Sequence, residues 1–328
     1  MVIARAPLRV SFFGGGTDFP EYFLKNGGAV LATAIDKYSF VTASAFHSHL
    51  FDYAIRVSYR KNESVQRVEE IEHPVFRECL RFCGLEKDIE LHAVADLPAF
   101  TGLGSSSTFT VSLLHALHTY KGEKVEPLQL AYEAIHIERH VLDECVGCQD
   151  QTIAAVGGFN VLEFRSETDI KVYPLNLRPD RLAELQAHLY VIYTGIKRRA
   201  TEIEAMKIRS FAQNHRTLLE MRRMVDEGRD ILSDGRPLED FGNLLDRAWQ
   251  AKRSLESAVS NGAIDDLYRQ GREAGAWGGK LLGAGGGGFL LFMAPPDIHP
   301  RLGAVVRDKF SIGLTINCPG SEVIFQPQ

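Results

Sequence analysis

The sequence predicts an α+β protein built from two domains. In the first half, segments of strand type come before most of the helical segments, an order that favours α+β over a doubly wound parallel sheet. A length of 328 residues suits one large or two medium domains. The composition changes close to residues 175–179. We therefore predict an N-terminal domain at residues 1–176 and a C-terminal domain at residues 177–328.

Composition and charge narrow the functional class. The net charge of −5 gives no reason to expect binding to nucleic acid or to a membrane surface. The first residues lack the long apolar stretch of a signal peptide, and no apolar run reaches membrane-spanning length. Five cysteines, an odd count, indicate reduced thiols and a cytoplasmic protein. Cys145 and Cys148 form a single CxxC without a second ligand pair, so we interpret them as small buried residues rather than a zinc site.

Alternation of apolar and polar residues predicts the elements of the N-terminal domain. The predicted strands are Val2–Phe13, broken by Pro7, and Gly28–Phe46, Phe51–Tyr59 and Asp88–Asp96, with a hairpin at Phe159–Phe164 and Ile170–Leu175. Short helices are predicted at Glu72–Cys83 and from Pro127 onward, because proline is well accommodated in the first turn of a helix. These segments would supply one sheet with helices against it.

In the C-terminal domain, strands flank a run of amphipathic helices. The predicted strands are Leu189–Thr194 and Phe289–Ala294, and the predicted helices are Glu202–Leu232, Leu238–Val259 and Ile264–Gly275.

A glycine–serine loop in the N-terminal domain is the first candidate for a ligand site. Its residues are Gly102, Leu103, Gly104, Ser105, Ser106 and Ser107. It opens into a helix whose apolar face is formed by Phe109, Leu113, Leu117 and Tyr120. Unpaired N–H groups and a partial positive charge at a helix N-terminus bind phosphate. No lysine follows the glycines, so this is not a Walker A loop. The alternative is a serine-rich helix cap beside a glycine turn.

Two further glycine-rich loops lie far apart in the chain. The N-terminal glycine loop, Gly14–Asp18, follows the first predicted strand and indicates close approach to a ligand or a tight turn. The C-terminal glycine loop, Gly283–Gly288, spells GxGxxG. A strand follows it where the dinucleotide-binding fingerprint requires a helix, so we reject that interpretation. We expect the C-terminal glycine loop to pack against the glycine–serine loop and its ligand instead.

Two carboxylates stand out by their surroundings. Glu138 interrupts an otherwise apolar helical row that contains Ala131, Ile135, Leu142 and Cys145. Burying a carboxylate there costs free energy unless it is paired or binds a metal. The alternative is a helix that lies near the surface, with the side chain of Glu138 reaching water. Asp150 lies in a polar cluster beside glycine, where a catalytic carboxylate is expected.

The three glycine-rich segments, in this order, resemble the GHMP kinases, the superfamily that includes galactokinase and mevalonate kinase. The matching motifs are Pro7–Asp18, Pro98–Ser107 and Lys280–Phe289, which together extend over most of the chain. Within the superfamily the sequence looks most like the D-glycero-D-manno-heptose 7-phosphate kinases, which phosphorylate the anomeric hydroxyl in the GDP-heptose pathway. The resemblance implies an N-terminal ribosomal-protein-S5-like domain and a C-terminal ferredoxin-like domain.

The resemblance also implies roles for the residues that bind ATP and Mg²⁺. Asp150 matches the catalytic aspartate, and Arg9 matches an arginine that keeps Asp150 ionised beside the transferred phosphoryl group. Glu138 and Ser106 match the Mg²⁺ ligands, and few protein ligands suffice for this ion. The glycine–serine loop would bind ATP, and the third motif contributes Gly283, Gly285, Gly286 and Gly287.

On the sugar side, the resemblance assigns Asp18 to the sugar hydroxyls and Gly147 to a backbone contact. Galactokinases carry Glu-His where this chain has Gly15 and Gly16, before Thr17. The smaller residues would admit a longer, phosphorylated heptose. Its phosphate would need cations, and the candidates are Lys197, Arg198 and Arg199, unless they form a solvated basic turn. The alternatives are an L-fucokinase-like or galactokinase-like enzyme, or a sensor of sugar and nucleotide without turnover. The expected partners are ATP and a sugar phosphate, with the oligomeric state undetermined.

Overall fold

The computed structural model describes residues 1–99, 101–196, 206, 208–209, 211, 213–305 and 309–327. The predicted cations Lys197, Arg198 and Arg199 lie outside these residues. No described helix has the length and apolar character needed to cross a membrane.

The N-terminal part supplies seven strands of an eight-stranded sheet, with helices against it. Its elements, in chain order, are β1 (Val2–Phe13), α1 (Pro20–Asn26), β2 (Gly28–Ala45), β3 (Ile55–Ser58), β4 (Asn62–Val65), α2 (Pro74–Phe82), β5 (Ile89–Ala95), α3 (Ser105–Tyr120), α4 (Pro127–His136), α5 (Gln149–Val156), β6 (Phe159–Ser166) and β7 (Asp169–Pro174). The long strand β2 pairs with β1 along one edge, and along its other edge first with β6 and then with β5. β3 runs parallel to β5, and the other described pairings in the sheet are antiparallel.

The C-terminal part forms a four-stranded antiparallel sheet and a set of helices. Its elements are α6 (Pro179–Ala187), β8 (Leu189–Tyr193), α7 (His215–Ser233), α8 (Leu238–Leu255), α9 (Gly262–Glu273), β9 (Gly278–Leu281), β10 (Phe289–Met293), α10 (His299–Val305), β11 (Ser311–Ile312) and β12 (Glu322–Phe325). The strand order is β11-β8-β10-β9. The last strand, β12, does not belong to this sheet but pairs with β1 as the eighth strand of the N-terminal sheet.

Mixed helix and sheet in both halves confirm the predicted α+β class. The halves share a core, because the second half of β1, including Phe12 and Phe13, packs with Val225 of α7 and Phe241 of α8. The boundary at residues 176 and 177 stays a prediction, although β12 returns to the first sheet. The N-terminal glycine loop leaves β1 at this shared core, so both halves meet at the candidate site.

Several predicted elements are confirmed and others are corrected. β1, β2, the β6–β7 hairpin, β8, α8 and α9 lie close to their predicted ranges. The segment Phe51–Tyr59 forms a strand only at Ile55–Ser58, and irregular residues 51–54 connect it to a 3-10 turn at Ser48–Leu50. Of the predicted helix Glu202–Leu232, the structure describes a helix from His215. The short helices α1, α5 and α6 were not predicted, because seven to nine residues carry little periodicity.

The prediction that one helix carries Ala131 through Cys145 was wrong. α4 ends at His136 and continues as a single π-helical turn, Ile137–Val141. The amide of Leu142 donates to the carbonyl of Ile137, the i to i+5 pattern that adds a residue to the turn. Asp143 then takes a left-handed φ of +53°, which ends the helix before Cys145. The residues of the predicted apolar row therefore do not lie on one helix, and Glu138 points in the direction that the π turn gives it.

Candidate active site

The glycine–serine loop forms the N-terminus of α3, as predicted. Gly102 and Gly104 both have φ of +81°, a left-handed conformation that favours glycine. Gly104 is the N-cap residue, and no side chain of the described residues caps the helix. The first-turn amides of residues 105–107 therefore lack helical acceptors and point out of the helix end. The residues present fit the phosphates of ATP, because an uncapped helix N-terminus with exposed Ser106 offers N–H and hydroxyl donors to an anion.

Arg9 and Asp150 form a two-pronged ion pair beside this loop. Arg9 lies in β1 and Asp150 in the first turn of α5. The Nε of Arg9 donates to Oδ1 of Asp150, and Nη2 donates to Oδ2, both at 2.7 Å. The remaining terminal nitrogen, Nη1, donates to the carbonyl of Gly102 at 2.7 Å. The guanidinium group therefore ties the carboxylate to the phosphate-binding loop, in a fork geometry that fixes both groups.

Asp150 directs one oxygen toward the glycine–serine loop. A Cβ placed on Gly104 would lie 3.1 Å from Oδ2 of Asp150, so the carboxylate lies against the N-cap of α3. The side chain of Arg9 is 5% exposed and that of Asp150 is 25% exposed. Asp150 is therefore accessible to a ligand while its partner is buried.

Gln149 and Ser11 belong to this centre and were missed in the sequence. The amide Nε2 of Gln149 donates to Oδ1 of Asp150 at 3.1 Å, and its Oε1 accepts from the hydroxyl of Ser11 at 2.7 Å. An ionised carboxylate only accepts hydrogen bonds, so this orientation of the amide is fixed. Within the described part of the chain, Oδ1 of Asp150 thus has two donors and Oδ2 has one. Neither Ser11 nor Gln149 belongs to a periodic pattern, and adjacency to Asp150 was the single available signal.

Glu138 is fully buried against α3. Its Oε1 accepts from the hydroxyl of Thr110 at 2.6 Å, and its Oε2 accepts from Ser107 at 2.8 Å and from the amide of Gln151 at 2.6 Å. Burial raises the pKa of Glu138 to about 7, and the hydrogen bonds from Thr110, Ser107 and Gln151 partly oppose that shift. The structure brings Ser107, rather than Ser106, into contact with Glu138.

The residues around Glu138 fit a hard cation such as Mg²⁺. A carboxylate has about four acceptor positions, and the three donors leave one of them. The buried Oε1 of Gln151 has no hydrogen-bond partner among the described residues and adds a second oxygen. The described part of the chain holds no cluster of three or more acidic, histidine or cysteine side chains able to bind a metal. Mg²⁺ does not need such a cluster, because it keeps several waters and binds substrate phosphates.

The N-terminal glycine loop folds around Asp18. Oδ1 of Asp18 accepts a hydrogen bond from the amide of Gly16 at 2.8 Å, and a Cβ on Gly147 would lie 2.0 Å from Oδ2 of Asp18. The structure therefore brings Asp18 and Gly147 together. Thr17 is buried, and its hydroxyl binds the backbone of the loop and of β2. Among the described residues, a Cβ on Gly15 would meet only the hydroxyl of Ser11, at an ordinary 3.6 Å, so these residues leave space above Gly15.

The C-terminal glycine loop packs against the glycine–serine loop, as predicted. Strands β9 and β10 form an antiparallel hairpin around it, which excludes the dinucleotide fingerprint. A Cβ on Gly283 would lie 2.5 Å from Cα of Gly102. In contrast, Gly285 and Gly286 lie against Val259, and Gly287 lies against Ile196, so these three glycines pack within the C-terminal part.

Comparison with known proteins identifies the family. Residues 67–158 match the family described as GHMP kinases N terminal domain, and residues 232–311 match GHMP kinases C terminal. D-glycero-alpha-D-manno-heptose 7-phosphate kinase of Campylobacter jejuni is 30% identical over 316 residues, 93% of each chain. The chain belongs to the GHMP kinase family. It is accordingly an ATP-dependent phosphotransferase.

Two further proteins are similar to this chain at lower sequence identity. The L-fucokinase/L-fucose-1-P guanylyltransferase of Bacteroides fragilis is 26% identical, with 94% of this chain matching 36% of that longer protein. Among solved structures, a D-glycero-D-manno-heptose 1-phosphate kinase from Bacteroides thetaiotaomicron superposes with a TM-score of 0.82 over the full length of both chains, at 23% identity. At that identity the superposition supports the GHMP kinase fold alone.

Proposed function

We propose that this GHMP kinase transfers the γ-phosphoryl group of ATP to the anomeric hydroxyl of D-glycero-D-manno-heptose 7-phosphate. The products would be the 1,7-bisphosphate and ADP. The observation that carries phosphoryl transfer is the ion pair of Arg9 and Asp150 beside the N-terminus of α3. It puts a proton acceptor and a fixed cation next to a phosphate-binding backbone, which are the parts that phosphoryl transfer needs.

In this proposal, Oδ2 of Asp150 accepts the proton of the anomeric hydroxyl. Oδ1 already accepts from Arg9 and Gln149, whereas Oδ2 accepts from Arg9 and lies against Gly104. The anomeric oxygen forms its bond to the γ-phosphorus, the bond from that phosphorus to the β-phosphate bridging oxygen breaks, and the proton passes from Asp150 to solvent. The hydrogen bond from Gln149, whose amide is itself fixed by the hydroxyl of Ser11, helps to hold the carboxylate in one orientation, which limits the reorganisation needed for reaction.

Charge on the transferred group is stabilised by Arg9 and by the first-turn amides of α3. These donors are fixed before the substrates bind, and fixed donors act at little reorganisation cost. Glu138 and Ser106 would hold Mg²⁺, with Ser107, Thr110 and Gln151 orienting the carboxylate of Glu138. The ion, when bound, supplies positive charge to the phosphate oxygens of ATP.

The sugar is proposed to lie between Asp150 and the N-terminal glycine loop. Asp18, fixed by the amide of Gly16, would accept hydrogen bonds from sugar hydroxyls. The space above Gly15 suits a substrate that approaches the backbone closely. Ser11 links the two regions, because its hydroxyl faces Gly15 and also binds Gln149.

The choice of heptose 7-phosphate rests on the relative that is 30% identical across nearly the whole chain. The cations proposed for the 7-phosphate, Lys197, Arg198 and Arg199, stay a prediction from sequence. The fucokinase relative makes L-fucose the strongest competing substrate. The presence of Asp150, Glu138 and Ser106 in this chain argues against a sensor without turnover.

An ADP-release assay with a panel of sugars tests this proposal. Heptose 7-phosphate, unphosphorylated heptose, L-fucose and galactose are each offered with ATP and Mg²⁺. We expect the highest kcat/KM for heptose 7-phosphate. A higher kcat/KM for an unphosphorylated sugar would show that heptose 7-phosphate is not the preferred substrate, and the protein would be a sugar kinase of another specificity. If none of the four sugars gave ADP release, all four would be rejected as substrates.

A further inference from the structure

Lys252 of α8 buries its ammonium group beneath the C-terminal glycine loop. The residue is only 6% exposed, on the side of α8 that packs against β9. Its Nζ donates to the carbonyl oxygen of Leu281 at 3.0 Å and also to that of Gly283. These two carbonyls flank Leu282, so a single ammonium group fixes the backbone of three consecutive residues.

Two of these residues, Leu282 and Gly283, touch Gly102 of the glycine–serine loop, backbone against backbone. A Cβ on Gly102 would lie 2.4 Å from the carbonyl oxygen of Leu282, and a Cβ on Gly283 would lie 2.5 Å from Cα of Gly102. Further along the loop, the amide of Phe289 donates to the carbonyl of Thr101 at 3.0 Å. A contact this close transmits any shift of the C-terminal glycine loop directly to the glycine–serine loop.

The opposite side of the glycine–serine loop is fixed by β1. The amide of Arg9 donates to the carbonyl of Leu103 at 3.1 Å, and the guanidinium group donates to the carbonyl of Gly102. The loop is therefore held between β1 on one side and the segment bound by Lys252 on the other. The direction of the first amides of α3 depends on both supports.

We propose that Lys252 is a positioning residue for the nucleotide. It holds residues 281–283 against Gly102, and thereby holds the first amides of α3 in the direction that binds the phosphates of ATP. The inference rests on the proposed function, because it takes the glycine–serine loop to be where the phosphates bind. The described hydrogen bonds of Lys252 end on the carbonyls of Leu281 and Gly283, so it acts through the backbone of that segment.

Replacement of Lys252 by methionine tests this role. Methionine keeps an unbranched apolar stem of similar length but removes all three N–H donors. The buried carbonyl of Leu281 and that of Gly283 then lose a charged donor, and the loop relaxes away from Gly102. Because hydrogen bonds to charged groups are among the stronger ones, we expect the affinity for ATP to fall about 10- to 100-fold.

The measurement is calorimetric titration with a non-hydrolysable ATP analogue and Mg²⁺, together with KM values for both substrates. Lys252→Met should raise the dissociation constant and the KM for ATP while the KM for the sugar stays within about twofold. Arg253→Met is the matched control, since this neighbouring residue is partly exposed and pairs with Asp265 at 2.9 Å. The control should bind the analogue like the wild type. Wild-type affinity in folded Lys252→Met would overturn the inference.

A second measurement needs no variant. Hydrogen–deuterium exchange of the wild-type chain, with and without the analogue, should show slower exchange in residues 281–288 as well as in residues 101–107. Protection confined to residues 101–107 would overturn the inference. If the wild-type chain bound no ATP analogue, the proposed function would fail first, and the role assigned to Lys252 would fail with it.

Discussion

Replacement of Asp150 by asparagine tests the proposed chemistry at a single atom. Oδ1 accepts from both Arg9 and Gln149, so the amide oxygen of the new side chain should occupy that position. Its NH₂ group then takes the position of Oδ2 and faces Nη2 of Arg9, donor against donor, where the wild type has a 2.7 Å hydrogen bond. The variant therefore loses the acceptor proposed for the sugar proton and one charge-assisted bond.

The two losses have separate magnitudes. A positioned general base contributes about 10²- to 10⁴-fold in rate, so kcat should fall by this factor, or about 3–5 kcal/mol in activation free energy. Loss of one hydrogen bond to a charged group costs about 1.5–3 kcal/mol of stability, and the 25% exposure of Asp150 favours the lower end. The affinity for an ATP analogue should change little, because the first amides of α3 remain.

Steady-state ADP release and calorimetric binding of the analogue distinguish these effects. Asp169→Asn is the matched control, since Asp169 is an exposed aspartate that pairs with Lys171 at 2.9 Å. It should turn over like the wild type. If folded Asp150→Asn kept a kcat within about threefold of the wild type, Asp150 would not be the base, and the reasoning from the Arg9–Asp150 pair would be refuted.

Three further predictions follow from the same site. Burial raises the pKa of Glu138 from 4.5 to about 7. Between these pH values the metal-free folded chain holds a proton that the unfolded chain has released, so the free energy of unfolding should fall by about 3 kcal/mol as pH rises from about 4.5 to about 7. Glu138→Gln should remove this part of the pH dependence in urea denaturation and raise the Mg²⁺ concentration for half-maximal rate; unchanged behaviour would contradict both roles of Glu138. Gly15→Ala should fold and raise the KM for the sugar. Gly14 has a φ of +83°, and a Cβ there would lie 2.0 Å from the carbonyl oxygen of Ala29, so Gly14→Ala should lower the free energy of unfolding by at least about 2 kcal/mol in thermal or urea denaturation. Equal stability of the two variants would show that the loop adapts. Lys197→Ala, Arg198→Ala and Arg199→Ala should include at least one variant with a KM for heptose 7-phosphate raised about 10- to 100-fold and an unchanged KM for ATP; three wild-type values would move the phosphate site elsewhere.

Much of the fold follows from local signals in the sequence. Apolar runs with alternating ends marked β1 and β2 almost to the residue, because the second half of β1 and the first half of β2 are buried while the other halves alternate. Glycines with positive φ marked the turn into α3, and the contact between Gly102 and Gly283 agrees with the expectation from two distant glycine loops. Such features depend on backbone geometry that neighbouring residues largely determine.

The polar contacts of the site were harder to predict, because tertiary packing creates them. The π turn at Ile137–Val141 shifts the helix register by one residue, and it accompanies the three hydrogen bonds that Glu138 receives from α3 and α5. Each residue of a helix is rotated by about 100° from the previous one, so the choice of Ser107 over Ser106 as the donor to Glu138 depends on how α3 is seated. Gln149 lies one residue before Asp150, yet its bond to Ser11 joins α5 to β1 across 138 residues.

The position of the transferred phosphoryl group is the most direct test of the central claim. The wild-type chain is incubated with ATP, Mg²⁺ and D-glycero-D-manno-heptose 7-phosphate, and the product is examined by ³¹P NMR with proton coupling. We predict a new phosphorus signal coupled to the anomeric proton, one ADP for each phosphoryl group transferred, and an unchanged signal from the 7-phosphate. A phosphorus coupled to any other sugar proton, or ADP formed without a sugar bisphosphate, would contradict the assignment of Asp150 to the anomeric hydroxyl.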